Sequence, residues 1–485
     1  MSHFRKFSLI LVFVSLQYAL FAAPVDSTTA YQVAKSFYYR HCLKPTAQVQ
    51  ISPVALPDFA ELYLFKVGTD DGFILVAADN VAKPVLAYSF DGGFSDKLHS
   101  SVHYWFGFLN DEIRYAVDNH VEADKTTLRQ WESYTNPQTP AVKDASSDTT
   151  CVPPLMTTTW AQSPYYNKFC PQGAASDPGQ AVTGCTATAM GQVMYYWKHP
   201  KKGHGSHCYE SHLYGTLCAD FENTTYQWSR MTNSLSSSSH SFQVDAVATL
   251  IYHCGVAVEM DYSPSGSGAL TVSYGYRDLP CAQNALVDYF YYKSSIDCDY
   301  RDNHRNPDDW ADVLKQELNK RRPIIYTGYD SNYSGGHAFV CDGYDSNSYF
   351  HFNWGWDGYY DGFYAMDALT PGNIYTFNFG QAIVLGIEPD TASDPVVGID
   401  ESATTRQISL WPNPTRGRIE IQSSSDTPAG ISLITVFSQQ GSLLRSIPTS
   451  DATTSSIDLS DLPAGIYTVV VTTSKGPVAK KVVLL

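Results

Sequence analysis

Two stretches of this chain, carrying Cys185 and His337 152 residues apart, have to be brought together by one fold. TGCTATAMGQVMYYWKHP, residues 183–200, has small residues and good helix formers after Gly184. Ala189, Met190, Val193 and Trp197 recur at helical spacing, so one face of the predicted helix belongs in a core. Its first residue is Cys185. A thiol in the first turn of a helix feels the positive end of the dipole and unpaired N–H groups, and both favour the nucleophilic thiolate. A core thiol or half of a disulfide fits the same position. The second stretch, YSGGHAFVCDGYDSNSYFHFNWGWDGYYDGFYAM, runs from Tyr333 to Met366. Gly335 and Gly336 let the backbone pass close to another group before His337, and AFVCDGY and YFHFNW read as paired strands. A cysteine nucleophile needs a histidine to take its proton and a polar group to orient that histidine. His337 is the candidate base and Asn353, 16 residues on, the candidate orienting group. A hydrogen-bonded core histidine is the competing reading of His337.

The chain is 485 residues long, too long for one average domain. Only 16% of residues are charged, while Tyr, Ser, Thr and Gly are plentiful, a mix that suits an exported, β-rich protein. A net charge of −16 without a long basic block excludes nucleic acid as a partner. Arg5 and Lys6, the apolar run Phe7–Phe21 and then Ala22 and Ala23 read as a signal peptide over residues 1–23. That run is short for a membrane anchor, and no other stretch is long and apolar enough to span a bilayer.

Residues 24–139 hold a helical start (YQVAKSFYYR), two strand-like runs (ELYLFKV, GFILVAA) and an amphipathic helix around VHYWFGFLNDEIRYAV. The polar stretch Thr135–Thr150, with two prolines, reads as an exposed linker. A Tyr-, Gly- and Trp-rich body fills 140–388, PDTASDPVVGIDES is a second linker centred on 389–400, and 401–485 alternates with period two like a small β-sandwich. With Cys185 set aside, nine of the ten cysteines remain, so pairing within the chain cannot be complete; Cys42, far upstream, is expected to be unpaired. Cys208 and Cys218 flank a segment that could be a stapled loop. His204, His207, Cys208, His212 and Cys218 are all metal-ligand types, but their spacing matches no closed zinc pattern, so no metal is expected.

A cysteine on an early helix followed by His and Asn on later strands is the papain-like order. The stretches TGCTATAMGQVMYYWKHP, VEMDYSPSGSGA, GGHAFVCDGYD and HFNWGWDGYYDGFYAMDAL resemble the streptopain family of cysteine peptidases, in its interpain-like branch, over most of 155–388. The resemblance implies an α+β chain: a papain-like cysteine peptidase domain preceded by an α+β propeptide and followed by the sandwich. It implies endopeptidase activity without metal or cofactor, on protein or peptide substrates. It places Cys185 as nucleophile and His337 as general base, and puts Trp354 where the family has a tryptophan against that histidine, so Trp354 can share the orienting role by packing. Acyl transfer also needs donors for the developing oxyanion. The Cys185 N–H is one; Gln162, in TTTWAQSPYYN, resembles the family's glutamine stretch and is the other, with an ordinary surface glutamine as the alternative. Ser267 and Gly336 resemble residues that line the substrate cleft.

GFILVAADNVAKPVLAYSFDGGF resembles the family's propeptide, which implies an intramolecular inhibitor that holds the catalytic histidine away from the thiol until the linker is cut; a permanent binding module is the alternative. LWPNPTRGRIEI and LPAGIYTVVVTTSKGPVAKKVVLL resemble a type IX secretion sorting domain, against a plain adhesion sandwich. That resemblance implies the secretion machinery as a partner and a protein secreted or attached to the bacterial outer-membrane surface. Two other functions draw on the same residues: a transglutaminase-like Cys–His acyltransferase, and a catalytically dead surface binding protein.

Overall fold

The computed structural model describes residues 23–42, 45, 48–69, 72–95, 97–136, 151–173, 178–304, 306–329, 336–368, 380–391, 408–423, 430–438, 443–473 and 476–485. The signal segment and most of both linkers lie outside these residues. The chain divides into two units, Met1–Asp394 and Pro395–Leu485.

The first unit opens with helix α1 (Ser27–His41), capped by the Asp26 carboxylate on the Thr29 N–H at 2.7 Å, with Ala30, Val33, Ala34 and Phe37 buried along one stripe. Strands β1 (Ile51–Val54), β2 (Leu62–Val67), β3 (Gly72–Ala77) and β4 (Val85–Ser89) follow, then α2 (Ser100–Asp118) and α3 (Lys125–Thr135). The sequence reading contains no α3. Its body is polar, and Asp124 starts it by accepting from the Thr126 and Thr127 N–H groups. Beyond it come α4 (Cys185–Trp197), the hairpin β5 (Ser206–Ser211) and β6 (Gly215–Asp220), α5 (Ser241–Ala257), α6 (Ala282–Phe290), β7 (Asp297–Tyr300) and α7 (Pro307–Asn319). Strands β8 (Ile324–Tyr329), β9 (Gly336–Tyr344), β10 (Phe350–Asn353), β11 (Gly362–Tyr364) and β12 (Ala382–Leu385) complete it. The stapled segment is this hairpin rather than an irregular loop: Cys208 and Cys218 face each other across β5 and β6 and are disulfide-bonded. Cys42 is free, and so are seven more cysteines among the described residues.

The expected propeptide and the expected body share one antiparallel sheet, in the order β1-β2-β3-β4-β11-β10-β9-β8-β12-β7. The seam is the β4–β11 pair, with Tyr88 opposite Phe363 and Ala87 opposite Tyr364. Because strand side chains alternate, β8 and β9 divide two cores. Ile324, Tyr326, Phe339 and Cys341 belong to a cluster with α1, α2 and β2–β4, whereas Ile325 and Val340 belong to one with α4, α5 and α6. The plug on the first face is Trp105 of α2, fully buried, edge-on to Phe352 at 5.0 Å and to Tyr326 and Phe339 at 6.3 Å.

The second unit has a three-stranded sheet, β13 (Ile408–Trp411), β14 (Arg418–Ser423) and β17 (Thr454–Asp458), and a four-stranded one, β16 (Leu443–Ala452), β15 (Ile431–Phe437), β18 (Gly465–Thr473) and β19 (Gly476–Leu484). Ile419, Ile421, Ile434, Val436, Val469, Val471 and Val482 form a common core, as the period-two pattern requires of a sandwich.

Trp105→Ala should lower the stability of the first unit by about 3–5 kcal/mol, because the indole is enclosed by rings that cannot collapse onto the void. Denaturant unfolding of the full chain checks this; an unchanged midpoint for the first unit would mean that α2 does not plug the shared core.

Candidate active site

Cys185 is the first residue of α4, and Gly184 caps the helix with φ +83°. A side chain at Gly184 would meet the Met260 sulfur at 2.5 Å, so this close approach needs glycine as well as the left-handed φ. Around it, Thr188 Oγ1 donates to the Gly184 carbonyl at 3.0 Å, and Ser267 Oγ donates to the Val182 carbonyl at 2.7 Å. The segment leading into the helix is thus held on both sides.

The Ala338 N–H of β9 points at Cys185 Sγ at 3.3 Å, and the His337 ring hydrogen-bonds the same sulfur. Burial pushes the Cys185 thiol up, but His337, through charge and hydrogen bond, and then the N–H groups of Ala338 and Thr186 outweigh it and bring the thiol down to about 7. Burial moves other thiols the opposite way: Cys281 to about 11, Cys170 to about 12, with Cys254 and Cys341 also raised.

His337 is 7% exposed, and its Nε2 lies 3.1 Å from the Trp354 carbonyl oxygen. A carbonyl only accepts, so Nε2 carries the ring proton and Nδ1 is left for the thiol. Asn353 does not touch His337, contrary to the sequence expectation. Its Nδ2 donates to the Thr158 carbonyl at 2.6 Å, while its Oδ1 accepts from Gln192 Nε2 at 2.9 Å and from the Gly355 N–H at 3.2 Å. That last N–H belongs to the same peptide as the Trp354 carbonyl, so Asn353 reaches the histidine at one remove. The role expected of the Trp354 ring also moves. Its indole packs against Phe339 at 4.5 Å and Phe352 at 5.3 Å, and the rings stacked on His337 are Trp356, at 5.7 Å and 15°, and Phe339, at 6.2 Å and 13°. Trp356 is the residue that the sequence reading missed; the second Trp of N-W-G-W was the available signal. Gly355 separates the two with φ +74°, which turns the chain so that one Trp faces the core and the other the histidine.

Gln162 is buried, and its main-chain carbonyl accepts from the Thr183 N–H at 3.2 Å, two residues before the nucleophile. Ser267 is buried beneath that segment, and Gly336 is exposed at the start of β9, paired with Tyr329. His337 lies on the face of β9 covered by α2. His99, at the head of α2, stacks on Trp356 at 4.7 Å and 2°, and Ser101 Oγ accepts from Trp356 Nε1 at 2.8 Å. The propeptide-like part does not hold the histidine away from the thiol, as expected from the resemblance; it covers the Trp356 side of a pair that is already assembled.

A solved fragment of prointerpain A from Prevotella intermedia matches this chain with 33% identity and a TM-score of 0.55, over 70% of this chain and 99% of that one. The peptidase C10 family model matches residues 160–364, which hold Cys185 and His337. The chain belongs to the peptidase C10 family. Among its C10 relatives, the thiol protease/hemagglutinin PrtT of Porphyromonas gingivalis is 31% identical over 410 residues, 79% of this chain but 44% of PrtT. Streptopain of Streptococcus pyogenes is 28% identical over 350 residues, 68% of this chain and 81% of streptopain. The chain therefore spans less than half the length of PrtT. The Spi protease inhibitor model matches residues 22–113, and a secretion system C-terminal sorting domain matches 409–485. The latter marks a protein secreted or attached to the outer-membrane surface by the type IX route. Among the described residues no helix is long and apolar enough to cross a membrane.

Alkylation of the processed protein by limiting iodoacetamide should follow the thiolate fraction of Cys185, with a midpoint near pH 7, and should reach Cys185 before Cys170, Cys254, Cys281 or Cys341. Peptide mass mapping across pH checks this. A Cys185 midpoint at the ordinary thiol value, about 8.5, would remove the His337 contact from the account.

Proposed function

We propose that this protein is a secreted cysteine endopeptidase made as a zymogen, acting on proteins or peptides. The observation that carries the reading is the meeting of Cys185, at the head of α4, with the start of β9, where the Ala338 N–H reaches the sulfur at 3.3 Å and His337 is anchored on the Trp354 carbonyl at 3.1 Å, contacts that together bring the thiol down to about 7. The Cys185 sulfur attacks the peptide carbonyl carbon while His337 takes its proton. The tetrahedral oxyanion is held by the Cys185 N–H, at the start of α4, and by the Gln162 amide. His337 returns the proton to the leaving amine, and water activated by the same ring then hydrolyses the thioester. Every step uses side chains and backbone of this chain and needs no cofactor or metal. Ser267, beneath the nucleophile segment, and Gly336, beside His337, border the substrate cleft.

Latency in this reading comes from coverage. Residues 24–139 act as the propeptide, and α2 lies over Trp356 and packs Tyr104 against Gly328, the residue opposite His337 on β8. A substrate strand cannot approach the histidine from this side until α2 leaves. Cleavage within 137–153 frees the propeptide covalently; most of that segment lies outside the described residues. Precursor carrying Cys185→Ala should hydrolyse no quenched peptide, stay full-length alone, and be cut within 137–153 when a trace of active wild type is added. Comparable hydrolysis by the variant would remove Cys185 as nucleophile, and full activity from uncut wild type would remove the zymogen reading.

His99 gives this coverage a pH dependence. Burial first, and then the charge of His337, hold its pKa below the ordinary 6.5. A histidine with a depressed docked pKa gives up a proton on docking. Docking is therefore fully favourable above about 6.5 and weakens as pH falls below it. Cys185→Ala precursor, cut in trans by a fixed amount of active wild type with each rate divided by quenched-peptide cleavage at the same pH to remove the loss of Cys185 thiolate, should process faster as pH is lowered through this range, and the same precursor carrying His99→Phe, which keeps a ring on Trp356 but cannot titrate, should process at a rate that varies less with pH. Processing rates of the two over pH 5–8, read on gels, decide it; parallel profiles would clear His99 of the role.

A further inference from the structure

The peptide chemistry around Trp354 contains one buried acid that the mechanism above does not use. Strand β10 ends at Asn353, so the Trp354 N–H has no ladder partner. It donates instead to Asp361 Oδ1 at 2.8 Å. The next peptide supplies the carbonyl that accepts from His337 Nε2 at 3.1 Å, and its N–H is held by Asn353 Oδ1 at 3.2 Å. The two peptides that flank the Trp354 Cα are therefore each pinned by a side chain, Asp361 on one and Asn353 on the other. The indole adds a third tie, Nε1 to the Tyr360 carbonyl at 3.1 Å. With both N–H groups anchored, the peptides on either side of the Trp354 Cα are restrained, which holds its carbonyl toward the imidazole.

We propose that Asp361 is a positioning residue for His337, acting through the Trp354 backbone as the second jaw of a clamp whose first jaw is Asn353. This rests on the reading of His337 as general base. Asp361 is 8% exposed, and among the described residues no basic side chain is hydrogen-bonded to it. The charges around it are His351 on β10, Asp342 on β9, itself bonded to His351 at 2.6 Å, and Asp357 of the same turn. Burial pushes its carboxyl up to about 7. An acid kept in such a place at that electrostatic cost is one whose acceptor oxygen matters more than its charge. An orphaned Trp354 N–H would otherwise swing toward another acceptor and take the carbonyl with it.

The test uses full-length chain carrying Asp361→Ala, Asp361→Ser or Asp361→Asn. Each is processed by a trace of affinity-tagged wild type, which is then removed, and is assayed on a quenched peptide beside wild type and Cys185→Ala. Serine is too short to reach the Trp354 N–H but tolerates burial, so it stands in if alanine does not fold. Asparagine keeps the acceptor oxygen without the charge. Alanine and serine should lower kcat about 10²-fold at an unchanged KM, the loss expected when a reacting group is misplaced by about 1 Å, and asparagine should stay near wild type. A structural role alone would lower the melting temperature and leave kcat per folded molecule intact. Wild-type kcat in the alanine or serine protein, a raised KM at constant kcat, or an asparagine protein as slow as alanine would each overturn the clamp. Wild type no more active than Cys185→Ala would overturn the peptidase reading itself, a different result from any of these.

Discussion

The contact between the head of α4 and β9 is the one on which the rest of the first unit depends. A helix presents its unpaired N–H groups at its start, and a strand presents alternate residues to opposite sides. Where the two meet, Ala338 turns its N–H to the Cys185 sulfur while His337, one residue earlier, lies on the other side of the strand. Nucleophile and base thus meet where the head of α4 reaches the start of β9. This is why the two halves cannot shift independently: a slip of one residue in β9 would send His337 to the helical side and Ala338 to the other.

The same alternation explains how a propeptide can govern the site without distorting it. His337, Phe339 and Cys341 share a face, and that face is closed by α2 through Trp105 and, at its head, through His99 on Trp356. The covering part is not a separate lid resting on the surface. It shares a sheet and a core with what it covers, so its departure requires breaking the β4–β11 pair and exposing buried aromatic area, and a cut in the linker alone does neither. In the proposed zymogen, acid-weakened contact at His99 would give such a tightly held segment a place to begin to come away.

Much of this was legible in the sequence, and the misses have physical causes. The helix at Cys185 follows from its period of 3.6 and the tail from its alternation, whereas the strands after Gly336, buried on both faces along β9, read as strands without any alternation. Helix α3 escaped because its apolar content is slight; only Thr127, Trp131 and Ser133 are buried, and its start depends on a capping carboxylate. Asn353 was found by spacing, but spacing does not say which atom faces which: its amide spans Thr158, Gln192 and Gly355, and a backbone carbonyl takes the place expected of it. Trp356 was in view as the second Trp of N-W-G-W, but the sequence does not say which of the two rings faces His337; Asp361 stayed hidden because its partner is a main-chain N–H, which leaves no residue-type signature.

One feature of β11 carries a consequence for the processed form. Once β4 is gone, β11 becomes the outer strand of what remains, with unpaired N–H and C=O groups facing solvent. Long bare edges of that kind template pairing between molecules and lead to aggregates. Here the strand is only three residues, Gly362–Tyr364, and its first residue is a glycine. A border this short offers a neighbouring copy almost nothing to add to, so the proposed activation, in which four strands of the sheet are shed, can leave an exported protein dispersed at the crowded cell surface.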